Sequence, residues 1–241
     1  MRSATLIAAA LLCAQAATLH AQERNDTMVL QRPVRGWVGG NVYYAHPVGE
    51  FANFIDHGWG GDLHGTLLLD RAGVLGLRFD ASFMNYGRER VNDVCALPTI
   101  CRVLVDVVTT NNIAFIGAGP QLMAPSGVIR PYLAGQAGWT FIWTNSSIED
   151  SDDQDETTLD TQNLTDNTFS YGGAAGFLIP ISAGRTPVAI DLGARYLRNG
   201  DVRYLRKGDI VDNPSGPPFL NVQRSRADLV TYYLGVSIGV R

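Results

Sequence analysis

No stretch of this 241-residue sequence holds the roughly twenty continuous apolar residues that a helix needs to cross a bilayer. Membrane insertion by helices is therefore excluded. Positive charge is also scarce: the formal net charge is −4, which leaves no overall basic surface for nucleic acid, and no nucleic-acid partner is expected. Cysteine occurs only at Cys13, Cys95 and Cys101, and the G-x-S-x-G, Walker-loop and H-E-x-x-H patterns are all missing. Neither a cofactor nor a metal is expected. Linkers and low-complexity runs are absent too, so nothing beyond the leader invites division into domains.

What is present begins with a secretory leader. Met1-Arg2 supplies a positive start, Leu6 to Ala14 an apolar run of about nine residues, and Leu19-His20-Ala21 the small residue that signal peptidase accepts. Residues 1–21 are predicted to be a signal peptide cut after Ala21, which discards Cys13. Losing Arg2 takes the net charge from −4 to about −5. Leu12 is bulky where a lipoprotein site wants a small residue, so Cys13 is not read as one. Residues 22–35 are polar and aperiodic and read as a flexible periplasmic lead-in; residues 36–241 form the domain.

That domain alternates with a period of two. Val188, Ile190, Leu192, Ala194 and Tyr196 share one face of their segment, with Ala189, Asp191, Gly193 and Arg195 on the other. Leu75, Leu77, Phe79, Ala81 and Phe83 likewise oppose Gly76, Arg78, Asp80 and Ser82. In the next long segment Ile129, Leu133, Ala137, Trp139, Phe141 and Trp143 oppose Arg130, Tyr132, Gln136 and Thr140. The pattern predicts strands over 36–44, 60–69, 73–86, 105–122, 128–144, 168–181, 187–198 and 227–240. Their connections alternate between long (46–58, 87–104, 145–167, 199–226) and short (70–72, 124–127, 183–186). Long loops at one end and tight turns at the other predict an all-β fold: an eight-stranded antiparallel up-and-down transmembrane β-barrel with long extracellular loops and short periplasmic turns. The predicted localisation is the bacterial outer membrane, with membrane lipid and lipopolysaccharide as surroundings and a monomer as the expected state.

Closure follows from the solvent, because backbone groups in hydrocarbon must be paired within the protein. An eight-stranded interior is just wide enough for side chains to fill. Arg78, Asp80, Arg130, Asp191 and Arg195, with His64, are predicted to face inward as a plugged salt-bridge network; a small gated pore is the other reading. Tyr44, Trp139, Phe141, Trp143 and Tyr196, near strand ends that adjoin long loops, are predicted to join an outer aromatic girdle. A soluble sandwich or lipocalin-like barrel would reverse the two faces.

Gly49-Glu50-Phe51, the Gly58–Gly61 run G-W-G-G, L-G-L-R-F-D at Leu75–Asp80, R-P-Y-L-A-G-Q-A-G at Arg130–Gly138 and D-L-G-A-R-Y at Asp191–Tyr196 resemble the small outer-membrane barrels related to the transmembrane domain of outer membrane protein A. The resemblance covers essentially the whole chain after the leader. It implies a structural or surface-interaction role and folding by the barrel-assembly machinery. One departure is the last strand, which ends Ile238-Gly239-Val240-Arg241 where that family places an aromatic residue for recognition by the machinery. No peptidoglycan-binding domain follows, so the tethering role of two-domain relatives is not expected here.

Candidate chemistry is sparse. Cys95 and Cys101, six positions apart in an oxidising compartment, are predicted to form a disulfide that stiffens the second long loop rather than a redox or metal pair. Glu149, Asp150, Asp152, Asp153, Asp155, Glu156 and Asp160 could gather Ca²⁺ or Mg²⁺, but without an EF-hand's glycine and distal glutamate they read as a solvated loop. His46, His57 and His64, with Asp56 and Asp62, surround the first loop and are read as polar loop and lumen residues. The leading function is non-enzymatic. The competing class is a lipid-modifying envelope enzyme of the lipid A deacylase type, although that pattern's H-x-S is missing. Its discriminator is whether His57 or His64 lies within hydrogen-bond reach of a serine and a carboxylate at the membrane-facing rim.

Overall fold

A computed structural model describes residues 34–95, 104–150, 157–182, 186–206, 208–211 and 219–241. The predicted signal peptide, most of the lead-in and Cys101 lie outside the described residues, as do the acidic positions 151–156. In chain order the strands are β1 (Gly36–Pro47), β2 (Gly58–Leu68), β3 (Leu75–Cys95), β4 (Leu104–Met123), β5 (Arg130–Asp150), β6 (Thr157–Ser182) and β7 (Val188–Asn199). Four short strands follow, β8 (Asp201–Tyr204), β9 (Ile210–Val211), β10 (Phe219–Leu220) and β11 (Gln223–Arg226), and then β12 (Leu229–Val240).

β1 to β7 and β12 form a closed barrel in which each strand pairs antiparallel with its sequence neighbour, and β12 returns to β1 from Gly36↔Val240 to Pro47↔Leu229. The alternation explains the walls. Along β12, Tyr232, Leu234, Val236, Ile238 and Val240 are exposed while Thr231, Tyr233 and Ser237 are buried. Along β3, Phe79 and Phe83 are about half exposed, whereas Arg78 and Asp80 between them are 1% and 2% exposed. Apolar side chains outside and charges inside, on a sheet without edges, are the architecture of a bacterial outer-membrane barrel. The tight turns have local causes. Between β2 and β3, Asp70 Oδ1 accepts the amides of Val74 at 2.9 Å and Leu75 at 2.8 Å, and Gly73 takes the left-handed φ of 75° that closes the turn.

Three expectations need correction. The second and third long loops are shorter than predicted, because β3 and β4 continue to Cys95 and from Leu104, and β5 and β6 to Asp150 and from Thr157, still paired through Val105↔Asp150 and Glu149↔Thr157. Their outer parts are rich in β-branched residues such as Val105, Val107, Val108, Thr109, Thr110, Thr157 and Thr161, which favour strand. The apolar stripe that marks the lipid-facing wall does not continue there. Glu149, Asp150 and Asp160 therefore sit in strands. The last connection also carries structure, as β8 pairs with β11 and β9 with β10.

The third correction concerns the interior, which is layered rather than polar throughout. At the loop end Tyr43, Met84, Ile113 and Ile142 of the wall pack with Phe51 and Ile55 from the first loop and Val202 and Tyr204 from the last. At the turn end Trp37, Met123, Tyr132, Leu178 and Ala189 form a second apolar cluster. Inward apolar residues occur where the ends are closed over, since a mouth stoppered by loops excludes water and rewards burial. The charges lie between.

Candidate functional site

Strand periodicity places the middle layer. Asp62 and His64 of β2, Arg78 and Asp80 of β3, and Asp191 and Arg195 of β7 are spaced by even numbers within their strands, so each pair shares the inward face. All six are buried. Asp80 is the hub: Arg78 Nε donates to both its oxygens, at 2.9 and 3.1 Å, Arg195 Nη2 donates at 3.0 Å, and the Gln136 amide of β5 completes its shell. Arg195 Nη2 also reaches Asp62 Oδ2 at 3.3 Å. The guanidinium of Arg78 lies 5.6 Å from the Tyr132 ring centroid and that of Arg195 5.8 Å from Tyr233, so aromatic faces cover what the carboxylates leave.

Asp191 faces inward as expected but is held by a hydroxyl and an imidazole. No guanidinium hydrogen-bonds it among the described residues; Tyr132 donates its hydroxyl to Oδ1 at 2.6 Å, and His64 Nε2 lies 3.3 Å from Oδ2. Arg195 stands four residues further along β7, about 13 Å at strand rise, and turns to Asp80 and Asp62 instead. Arg130 also departs from the predicted network. Its Nε donates to the Ala124 carbonyl at 2.7 Å and its guanidinium lies 5.5 Å from the Trp37 ring centroid. As the first residue of β5 it faces inward, but at the turn end and below the carboxylates.

Sequence reasoning put Tyr132 on the face of Arg130 and read Asp62 among the polar loop and lumen residues, but joined neither to this network, and it did not single out Tyr233 or Ser237. The signal was available for Asp62, because Asp62, His64 and Thr66 alternate with the outward Leu63 and Leu67. The hydroxyl partners carry no such mark.

Of the aromatic residues singled out earlier, Trp139, Phe141 and Tyr196 are exposed, and Tyr44 and Trp143 are half-buried. Tyr44 meets Trp59 edge-on at 5.0 Å and Trp143 meets Phe83 at 5.8 Å. The pairings Tyr44↔Trp59, Trp59↔Asn85, Asn85↔Asn112 and Asn112↔Trp143 put Tyr44, Trp59 and Trp143 in one row across the wall. Trp59, 63% exposed, was not foreseen.

A hydrolase-like juxtaposition exists. His64 Nε2 lies 2.9 Å from Ser237 Oγ, and Nδ1 lies 3.4 Å from Asp62 Oδ1. The reach asked of an enzyme is therefore met, but at mid-barrel instead of the rim. Ser237 is fully buried, and the cavity lined by Trp37, His64, Arg78, Tyr132, Asp191 and Ser237 measures about 10 Å³. That is room for about one water molecule. Among the described residues, an apolar layer lies on either side of Ser237 toward each end of the barrel. No group of three or more His, Cys, Asp or Glu is placed to hold a metal among the described residues.

The loop end is braced over this site. Phe51 meets Tyr204 edge-on at 5.0 Å, the Tyr86 hydroxyl donates to the Leu205 carbonyl at 3.2 Å, and Arg203 Nε reaches Asp166 Oδ2 at 3.3 Å. Burial raises the Tyr204 phenol above its usual pKa, keeping it a neutral partner of Ser225 at 2.9 Å.

No family model and no curated protein matches the chain. Among solved structures the chain is similar to Ail, the attachment invasion locus protein of Yersinia pestis, at 10% identity and a TM-score of 0.46, over 86% of this chain and 99% of that one. It is similar to the outer membrane protein OprG from Pseudomonas aeruginosa at 11% identity and a TM-score of 0.47, over 88% of this chain and 98% of that one. The outer membrane protease OmpT from Escherichia coli matches at 7% identity and a TM-score of 0.36, over 89% of this chain and 98% of that one.

Proposed function

We propose that this chain is a non-enzymatic integral barrel of the outer membrane, closed to solutes, whose structural or surface-interaction role is carried by the platform of loops at its outer end. The observation that supports it best is the sealed lumen: a paired charged layer between two apolar layers, with a cavity of about 10 Å³. A pore needs a continuous wet path, and an enzyme needs a reachable nucleophile. The buried Ser237 favours neither.

The remaining parts of the reading follow from the same picture. A leader ending at Ala21 delivers the chain to the periplasm, the barrel-assembly machinery inserts it as a monomer, and Tyr44, Trp139, Phe141, Trp143 and Tyr196 anchor it at the outer interface beside lipopolysaccharide. Kinship with the transmembrane domain of outer membrane protein A belongs to this reading too, supported by the strings at Gly49–Phe51, Leu75–Asp80 and Asp191–Tyr196. The test is planar-bilayer recording of the purified, refolded protein, checked beforehand for heat-modifiable mobility in detergent gels. The expected result is a folded barrel without unitary conductance. Discrete channel openings would overturn the plug, and recovery of the native protein from the soluble periplasmic fraction would overturn the membrane assignment.

A further inference from the structure

The ionisable groups that touch one another inside the barrel do not balance. Asp62, Asp80 and Asp191 contribute three carboxylates and Arg78 and Arg195 two guanidiniums, none of the five more than 4% exposed. Their contacts run from Arg78 to Asp80 to Arg195 to Asp62, and on through His64 to Asp191. Arg130 does not complete the count, because it is spent on the Ala124 carbonyl and the Trp37 face at the turn end. The other inward groups nearby are hydroxyls and amides: Asn41 and Tyr43 from β1, Thr66 from β2, Gln121 from β4, Tyr132 and Gln136 from β5, and Tyr233 and Ser237 from β12. β6 offers no ionisable side chain at this level.

With a neutral His64 the cluster would hold one excess negative charge in a dry interior. Buried groups avoid that state by taking up a proton. The geometry offers a place for it, since the imidazole has a carboxylate on each side: Nδ1 is 3.4 Å from Asp62 Oδ1 and Nε2 is 3.3 Å from Asp191 Oδ2. We propose that the folded lumen is a buried proton-binding site that takes up one proton at the His64–Asp191 contact, and that this proton makes the barrel selectively labile in alkali.

An unfolded chain leaves its histidines neutral above about pH 6.5 and its carboxylates ionised. Above about pH 7 the folded state therefore binds one proton more than the unfolded state. Stability must then fall as pH rises, the unfolding constant growing by up to tenfold per pH unit until the folded site itself releases the proton, while below about pH 6 both states bind the proton and the dependence disappears.

The experiment uses the full chain after the leader, refolded in detergent, with His46→Gln and His57→Gln so that His64 is the remaining histidine. Urea unfolding between pH 7 and 9 should show stability falling with pH. Adding Asp191→Asn supplies neutrality without a proton and should flatten the profile. A flat profile in the parent, or the same slope retained with Asp191→Asn, would overturn the proposal. Should Asp191→Asn fail to fold, the ring ¹⁵N shifts of His64 and the carboxyl ¹³C shift of Asp191 in the folded parent at pH 8 decide it. A proton on either group is expected; a neutral ring beside an ionised Asp191 sinks the idea.

Discussion

Replacing Asp80 with Asn should cost more stability than neutralising any other acidic residue in the lumen. Asp80 accepts Arg78 Nε at 2.9 and 3.1 Å and Arg195 Nη2 at 3.0 Å, together with the Gln136 amide. Without its charge Arg78 keeps only Gln121 Oε1 at 3.4 Å, while Arg195 keeps Asp62 at 3.3 Å. Removing one partner of a buried ion pair costs about 3 to 5 kcal/mol, because the other charge is left without compensation. The bonds that survive and a water molecule entering the small cavity move the expectation to the lower end, about 3 kcal/mol. Asp191→Asn removes no guanidinium partner and leaves an amide oxygen to accept from Tyr132, so about 1 kcal/mol is expected. Asp201→Asn is the control: its 3.8 Å pair with Arg224 is largely exposed, and less than about 0.5 kcal/mol is expected. The assay is urea unfolding at pH 7 in detergent micelles, read by tryptophan fluorescence. At a slope of about 2 kcal/mol per molar urea, Asp80→Asn should lower the midpoint by more than about 1 M. The reasoning fails if that midpoint stays at the wild-type value, or if Asp191→Asn costs as much as Asp80→Asn.

The other predictions use the same preparation. Phe79→Arg puts a guanidinium on the lipid-facing side of β3 and should cost about 2 to 4 kcal/mol if it lies at the bilayer midplane; a change under about 0.5 kcal/mol would mean that this face meets water. Cys95 and Cys101 should give no free thiol in the unreduced protein, and reduction should leave the far-ultraviolet spectrum unchanged; labelling of both positions before reduction would contradict the bridge. Replacing Asp62, His64, Asp80, Asp191, Arg78 and Arg195 together by apolar residues of similar volume should leave overall stability within a few kcal/mol of wild type. That variant should nonetheless show more than one set of amide signals, and a single sharp set would count against a role for the charges in choosing the fold.

Faces of strands were legible in the sequence wherever a lipid-facing stripe runs opposite small or charged residues. Leu75 to Phe83 and Val188 to Tyr196 are the clearest cases. The stripe is imposed by the bilayer, so it ends where the bilayer ends, and the same reasoning could not follow β3 past Tyr86 or β6 back to Thr157. There the strands are held by pairing with each other, and their sequence carries Thr, Asn and Asp without a two-residue apolar alternation. Within the site, Arg78 and Asp80 were legible because two charges on either side of Phe79, in a strand whose other face is Leu77, Phe79 and Phe83, have one reasonable orientation. Which partner each would choose was not legible. Pairing across the lumen depends on the stagger between strands, and that stagger brings Arg195 to Asp80 and leaves Asp191 to Tyr132 and His64. The apolar stoppers were invisible for a related reason, since Phe51, Val202 and Tyr204 belong to connections whose path over the barrel mouth no local pattern encodes.

The charges also answer a question that the apolar exterior leaves open. A slip of any strand by one residue turns its leucines inward and its charges toward lipid, and the bilayer forbids it. A slip by two residues keeps every side chain on its proper face, and the exterior, nearly uniform along Leu234, Val236 and Ile238, hardly registers the change. The lumen does register it. Moving β7 by two residues against its neighbours displaces Arg195 by about 6.6 Å, which would break its contacts of 3.0 Å with Asp80 and 3.3 Å with Asp62 together. The same step takes Asp191 away from the Tyr132 hydroxyl and from His64. Because a buried charge without a partner is costly, even-numbered slips are penalised from inside as odd-numbered slips are penalised from outside. The ion cluster therefore sits where it does most for specificity, across the lumen between strands that a featureless apolar wall could not otherwise hold in one register.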